Sequence, residues 1–297
     1  MIEKILNILN KYENILILGF GREWKTSYNF IRKHLPNKHL TILDENQIWE
    51  INDKNTEILI EKITIERLRQ FDLIVKTPWI SFKWMDTEWL NITSQLELLL
   101  EVNRENVIWI TGTKWKSTTT TLLYQVIKDQ KENTFLLWNI WVPIFEQIEN
   151  FDENSTLVIE CSSHQLQYIK TSPHIAILLN LYPEHLDHYN NLQEYYDSKL
   201  NIFKYQNNND FAIIDEQGTS VSPLFKGDTG EAGEDFYFGK TITIWKDIFI
   251  QWDFVMLKTL EGLEPSTSSL RPLYNINEKR NLLWEHNLRN IMNIFVV

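Results

Sequence analysis

The sequence predicts an α/β protein made of two successive open-sheet units, a Rossmann-like N-terminal unit followed by a phosphate-loop-containing α/β unit. Three observations predict it. Short apolar runs alternate with amphipathic helical stretches through the first hundred residues. The same alternation restarts after a helical stretch that ends near residue 102. Each unit opens with an apolar strand that runs into a glycine-containing turn and then a helix. Strands separated by helices pair in parallel, and the crossover helices then cover the sheet faces.

In the first unit, placed at residues 1–102, residues 14–19 (NILILG) read as a buried strand and 24–34 as a helix. Strands follow at 39–43 and 71–75, and a helix at 93–104 leads out of the unit. The second unit, placed at 103–297, starts with a strand at 106–110 and a helix from Lys116 to about Asp129. Further strands are expected near 134–137, 156–160 and 174–180, and a long helix over 192–205. Residues 210–256 read as short β segments, with Gly218, Gly227, Gly230, Gly233 and Gly239 marking turns. Residues 262–272 read as an exposed loop, and a last helix opens around Glu285.

Composition narrows the partners. A chain of 297 residues suits about two domains. A net charge of -11 argues against a nucleic-acid surface, which needs clustered Lys and Arg, so an anionic ligand must be held by a local site. The single cysteine, Cys161, excludes an internal disulfide framework and reads as a small core residue. The N-terminal residues mix charges with apolar positions and lack a small-residue cleavage site, so they do not read as a signal peptide. No apolar run reaches the length of a membrane span. The expectation is a cytoplasmic protein with small-molecule ligands, no nucleic acid, no membrane and no obligate protein partner.

The sharpest motif is GTKWKST at 112–118, between a strand and a helix. A phosphate loop needs this context, because free backbone N–H groups at a helix N-terminus face the anion and a Lys reaches the terminal phosphates. Gly112, Thr113, Lys114, Trp115, Lys116, Ser117 and Thr118 are therefore the expected phosphate-binding residues of a nucleotide loop, with Ser117 or Thr118 in the Mg²⁺-ligand place. Glu160, in ECSSHQL, ends a strand where a Mg²⁺ ligand is wanted; alone it would be a solvated strand end. The segment NLYPEHLDHY, from Asn180, gathers Glu184, His185, Asp187 and His188, and His185 is its candidate imidazole ligand. By itself Lys199, in EYYDSKLNIF, would be a surface lysine.

These segments, in this order, resemble the Mur ligases, whose phosphate loop is of GTxGKST type. The resemblance covers essentially the whole chain, and residues 210–280 contribute little to it. It implies ATP and Mg²⁺ as cofactors, with Lys116, His185 and Lys199 catalytic, Ser117, Glu160, His185 and Lys199 holding metal, and Lys199 carbamylated into a carboxylate-like ligand. WNIWVP at 138–143 is similar to the family's GNIGxP and places Asn139 at substrate or metal. WEHNLRN at 284–290 is similar to GxHNxxN and places Asn287 and Asn290 near the nucleotide. GFGREWK at 19–25, Asp44 and KTPWIS at 76–81 resemble a UDP-sugar cradle, implying contacts from Gly19, Phe20, Gly21, Arg22, Asp44, Thr77 and Pro78. Ser162 and Gln165 resemble the ESSxQL run of the D-glutamate-adding branch, which implies UDP-N-acetylmuramoyl-L-alanine and D-glutamate as substrates and an acyl-phosphate route in peptidoglycan synthesis. The family carries a third, C-terminal domain that lies beyond the 297 residues here, so no ligation is expected of these residues alone. Two other readings stand beside this one: a non-catalytic nucleotide- or UDP-sugar-binding relative, and another Mur or folylpolyglutamate-type ligase.

The tryptophans form a pattern of their own. There are 12 Trp and 9 Gly, together about the 7% that glycine alone ordinarily contributes. Trp24, Trp79, Trp109, Trp115, Trp138, Trp141 and Trp284 all stand where the resembled motifs have Gly. An indole in a phosphate loop occupies the anion's volume, and a backbone with φ > 0 is cheap only for Gly. The expectation is a codon, UGA, read as Gly by the organism and rendered here as Trp; Trp245 and Trp252 read as ordinary aromatics.

Overall fold

A computed structural model describes residues 1–19, 21–46, 51–137 and 142–215, together with the backbone of four later strands within 240–275. The chain folds into two sheets, as the alternation predicts. The first holds β1 (Ile15–Leu18), β2 (Leu40–Asp44), β3 (Thr56–Ile60), β4 (Leu73–Lys76) and β5 (Ile92–Thr93) in the order β3-β2-β1-β4-β5, all parallel. The Arg22–His34 helix follows β1 after Gly21. β3 and β5 were not expected from the sequence: β3 is a half-exposed edge strand without clean alternation, and β5 has only two residues.

The second sheet is larger. It holds β6 (Val107–Thr111), β7 (Thr134–Leu137), β8 (Thr156–Glu160), β9 (Ile175–Leu178), β10 (Phe211–Asp215), β11 (Lys240–Ile244), β12 (Ile248–Gln251), β13 (Phe254–Lys258) and β14 (Leu270–Asn275). Their order is β14-β13-β12-β11-β10-β9-β6-β8-β7. Every pair from β7 to β12 is parallel, and β12, β13 and β14 close the edge antiparallel. β14 corrects the expected 262–272 loop, because Leu270–Asn275 pairs with β13 despite Pro272, which an edge strand tolerates. The expected last helix near Glu285 lies outside the described residues. Among the described residues no helix is long and apolar enough to cross a membrane.

β1 and β6 are the fully buried runs ILIL and VIWIT. They sit inside their sheets because strands covered on both faces need continuous apolar sequence. The Gln95–Asn103 helix occupies the expected boundary and is buried along most of its length. One apolar cluster runs through it, from Ile5 and Ile17 to Trp109, Ile159 and Ile214. Its polar side chains also bridge the two sheets. Gln95 donates to the Ser27 hydroxyl at 2.7 Å and accepts from Phe145 N at 3.0 Å. The Glu97 carboxylate accepts from Lys170 N at 3.1 Å and from the Thr171 hydroxyl at 2.9 Å.

Burial pushes the Glu97 carboxyl up to about 7, against an ordinary value of 4.5. A folded-state pKa above the unfolded one means that the native protein binds the extra proton. The stability that Glu97 contributes is therefore complete below pH 4.5 and is lost as pH rises through about 7. Glu97→Gln is expected to remove that slope, an effect on the order of 2–3 kcal/mol between pH 5 and 8. Urea denaturation of both proteins across this range measures it, and parallel pH profiles would contradict it.

Candidate nucleotide and metal site

Topology creates the site. β6 lies between β8 and β9, so the loops after these three strands meet at one sheet edge. Ligands of open parallel sheets bind at the C-terminal ends of strands where the winding reverses. The loop after β6 is the 112–115 segment, β8 ends on Glu160, and the 180–190 segment follows β9. Each sequence motif thus comes from a different strand but reaches the same edge.

The loop itself is held by Asn180. Its side-chain oxygen accepts from Thr113 N at 2.9 Å and Lys114 N at 2.7 Å, and its amide donates to Lys114 O at 3.0 Å. Gly112 packs so closely that a Cβ would lie 3.1 Å from the Leu179 side chain and 3.3 Å from Asn180 N, which explains a glycine here. The Thr113 hydroxyl lies 3.0 Å from the Tyr195 hydroxyl and accepts from Tyr182 N at 3.0 Å. Sequence pattern alone marks neither Asn180 nor Tyr195 as a site residue. The usable signal was that Asn180 begins the same strand-end segment that carries His185.

The Lys116–Gln130 helix starts directly after the loop. Lys116 Nζ donates to Thr113 O at 3.1 Å, curling its ammonium over the loop where a terminal phosphate would be bound. Burial lowers the Lys116 pKa, and Glu160 and Glu184 partly oppose that shift. Ser117 is exposed at the first turn and Thr118 half-buried. Lys114 points outward and pairs with Glu184 at 2.7 Å.

Glu160 and Lys199 are buried, not the surface residues that they would be by default. Glu160 Oε2 is buried without any hydrogen-bond partner. An orphaned carboxylate oxygen at a phosphate loop suits an oxygen-seeking divalent cation. Lys199 is 2% exposed and donates to Gly112 O at 2.9 Å, beneath the loop. Burial and the nearby Lys116 ammonium lower its pKa to about 7. His185 adopts the left-handed region at φ 57, and its ring lies 6.2 Å from that of Tyr195, over which Lys199 Nζ sits at 5.3 Å. Lys199 and His185 thus flank one tyrosine.

Among the described residues, the His/Cys/Asp/Glu trio with ligand atoms within 4.8 Å of one another is Glu105, His174 and Asp210. It precedes β6, β9 and β10, at the opposite sheet edge, and forms an ion network with Arg104.

The residues expected to form a UDP cradle come together in part. Gly19 has φ 93, and a Cβ there would lie 2.3 Å from the Thr77 hydroxyl oxygen, so both backbone and space require glycine. Thr77 bonds Leu18 O through its amide at 3.0 Å and its hydroxyl at 3.1 Å. Pro78 O and Thr77 O both accept from buried Lys76 Nζ at 3.2 Å. Gly21 is open at the helix start, and buried Asp44 accepts from Asn46 N at 2.7 Å. Ser162 and Gln165 bond each other as a capping box of the Ser163–Leu166 helix. Phe20, the Arg22 side chain, Asn139, Asn287 and Asn290 lie outside the described residues, as do Trp138, Trp141 and Trp284.

The described tryptophans divide into two groups. Trp115 has φ 70, immediately before Lys116, with the indole 46% exposed at the loop. Trp84, which no motif marks, is left-handed too, at φ 68. Trp79 is 70% exposed. Trp24 and Trp109 instead pack in the core like ordinary aromatics, although Trp109 Nε1 is buried without a partner. The backbone at Trp115 and Trp84 favours glycine; the burial of Trp24 and Trp109 does not.

Comparison with known proteins adds an independent line. The family profile described as Mur ligase middle domain matches residues 110–297. The UDP-N-acetylmuramoylalanine--D-glutamate ligase of Clostridium kluyveri is 30% identical over 233 residues, covering 76% of this chain and 50% of the relative. Its Clostridium perfringens counterpart is 28% identical over 291 residues, covering 89% of this chain and 62% of the relative. The chain thus spans about half the length of the curated relatives it matches, 50% in the first. Among solved structures, a UDP-N-acetylmuramate:L-alanyl-gamma-D-glutamyl-meso-diaminopimelate ligase from Neisseria meningitides aligns at TM-score 0.48 and 16% identity, over 95% of this chain and 91% of that one. A UDP-N-acetylmuramate-alanine ligase from Thermotoga maritima aligns at TM-score 0.46 and 17% identity, over 95% and 64%.

Proposed function

This chain belongs to the Mur ligase family, and from that premise we propose that it forms the nucleotide- and UDP-substrate-binding part of an ATP-dependent ligase. The reaction is the addition of D-glutamate to UDP-N-acetylmuramoyl-L-alanine in peptidoglycan synthesis. Residues 1–102 are its UDP-sugar unit and 103–297 its nucleotide unit. The observation that carries this reading is that Lys116 and Lys199 both donate to carbonyls of the Gly112–Thr113 turn, while the orphaned Glu160 oxygen ends the neighbouring strand β8.

In the proposed reaction the substrate carboxylate attacks the γ-phosphorus of ATP, the bond to the bridging oxygen breaks, and ADP leaves. The amine of D-glutamate then attacks the acyl phosphate, phosphate departs, and an amide remains. No side-chain nucleophile is needed, so positioning and charge carry the catalysis. Backbone amides at the start of the 116–130 helix and the Lys116 ammonium hold the phosphates. Glu160, Ser117 and His185 are the residues that would hold Mg²⁺, which when bound neutralises phosphate charge. Lys199, with its pKa lowered to about 7, has a large neutral fraction, the form that adds CO₂ and releases a proton to become a carbamate.

The D-glutamate assignment rests on Ser162, Gln165 and the clostridial relatives. Calorimetry tests it: UDP-N-acetylmuramoyl-L-alanine is expected to bind and UDP-N-acetylmuramate, lacking the alanine, to bind more weakly. Glu160→Gln is expected to weaken Mg-ATP about tenfold or more while leaving the UDP-substrate affinity within about twofold, on the scale of losses around metal ligands. Equal loss of both affinities would contradict the division of roles. A non-catalytic binding relative is the second reading, favoured by the Trp115 indole at the loop.

A further inference from the structure

The segment carrying His185 holds an unfavourable conformation, and its hydrogen bonds show what maintains it. His185 is a non-glycine residue at φ 57. The four successive carbonyls from His185 to His188 all have donors. His185 O accepts from His188 N at 3.0 Å, inside the turn. The other three are served from the first sheet unit: Lys83 Nζ donates to Leu186 O at 3.1 Å and lies 3.5 Å from Asp187 O, and the Ser81 hydroxyl donates to His188 O at 2.8 Å. Trp84 N adds a bond to the Asn190 side chain at 3.0 Å. Ser81 also accepts from Lys83 N at 3.2 Å, which ties the two donors together.

This loop begins beside the other candidate site. Thr77 is bonded to the end of β1 and crowds Gly19, and Ile80 N bonds Thr77 O at 3.4 Å. A few residues therefore separate the wall of the UDP cradle from the donors that hold the His185 turn.

We propose that Ser81 and Lys83 are positioning residues for His185: they hold its turn in the left-handed conformation from across the two units. Through the same loop, UDP-substrate at Thr77 and Pro78 tightens the His185 turn; this second part rests on the function proposed above. The reason is structural continuity: a ligand that fixes residues 77–80 also fixes the donors at 81–83, and donors held in place protect the bonds that they make.

Hydrogen exchange read by mass spectrometry over residues 184–190 tests both parts. In the free protein, Ser81→Ala combined with Lys83→Met is expected to speed exchange there by about fivefold or more, the scale of one or two lost hydrogen bonds. Ser81→Thr with Lys83→Arg, which keeps both donors, is expected to restore most of the protection. Exchange across β6 and β8 reports on the fold and is expected to be unchanged. Saturating UDP-N-acetylmuramoyl-L-alanine is expected to slow exchange at 184–190 in the unmutated chain and not in the Ala/Met variant. Unchanged exchange in the Ala/Met variant overturns the positioning role. Equal slowing in both proteins, or none in either while calorimetry shows saturation, overturns the coupling. Absence of UDP-substrate binding by calorimetry overturns the coupling together with the function on which it rests, and leaves the free-protein comparison to decide the positioning role.

Discussion

Trp115→Gly is expected to raise the affinity for Mg-ATP by at least about tenfold and to stabilise the fold at the same time. The two effects have separate causes. Stability rises because a non-glycine residue in the left-handed region costs about 1–2 kcal/mol, which glycine does not incur. For a chain of this size that corresponds to a melting temperature higher by roughly 2–4 °C. Affinity rises because the indole stands at the loop beside Lys116, where the phosphates must approach the backbone. Trp84→Gly separates the two: its backbone is also left-handed, at φ 68, but it stands in the 81–84 loop and not in the 112–115 loop that opens the Lys116–Gln130 helix. It is expected to raise the melting temperature and leave Mg-ATP affinity unchanged. Calorimetry and thermal melts on the two variants measure this, and a Trp115→Gly protein with unaltered affinity would refute the blocked-loop reading. The mass of the native peptide spanning 112–118 decides whether the organism places Gly or Trp there, and UGG codons at Trp115 and Trp138 would end the recoding idea.

Lys199→Met is expected to abolish CO₂ uptake while leaving stability unchanged or raising it. Lys199 is 2% exposed, and its ammonium is held by Gly112 O and the face of the Tyr195 ring with no carboxylate in ion-pair distance among the described residues, so its charge is only partly compensated in the fold. A methionine of similar length keeps the packing without the buried charge, and such replacements are often neutral or stabilising. Function moves the other way, since only an amine can form the carbamate. Native mass spectrometry in bicarbonate is expected to show the mass of one added CO₂ on the unmutated chain and none on the variant. A variant that still gains that mass would place the carbamate elsewhere. A variant that melts several degrees lower would show instead that the ammonium's bond to Gly112 supports the loop.

The opposed signs at Lys199 illustrate a wider point about this site. Glu160 with an orphaned oxygen, His185 at positive φ and a desolvated Lys199 are each unfavourable to the fold taken alone. Such features persist where bound groups compensate them, and here they gather at one sheet edge.

The sequence by itself determined the local and chemical parts of this protein. Fully buried parallel strands need continuous apolar runs, so β1, β6 and β8 were legible as ILIL, VIWIT and TLVIE. The phosphate loop was legible because a strand, a glycine turn and a Lys-Ser helix start are neighbours in the chain. Only the tertiary structure decided what depends on neighbours distant in sequence. The burial of Lys199 under Gly112 comes from a contact spanning 87 residues, and periodicity carries no information about it. Asn180 as the clasp of the loop, Ser81 and Lys83 as donors to the His185 turn, and β14 as a paired edge are of the same kind. The tryptophans lie between the two. Their coincidence with motif glycines was visible in the sequence, but the backbone at Trp84 and Trp115 was not, because φ is set by the turn in which a residue is held and not by its side chain.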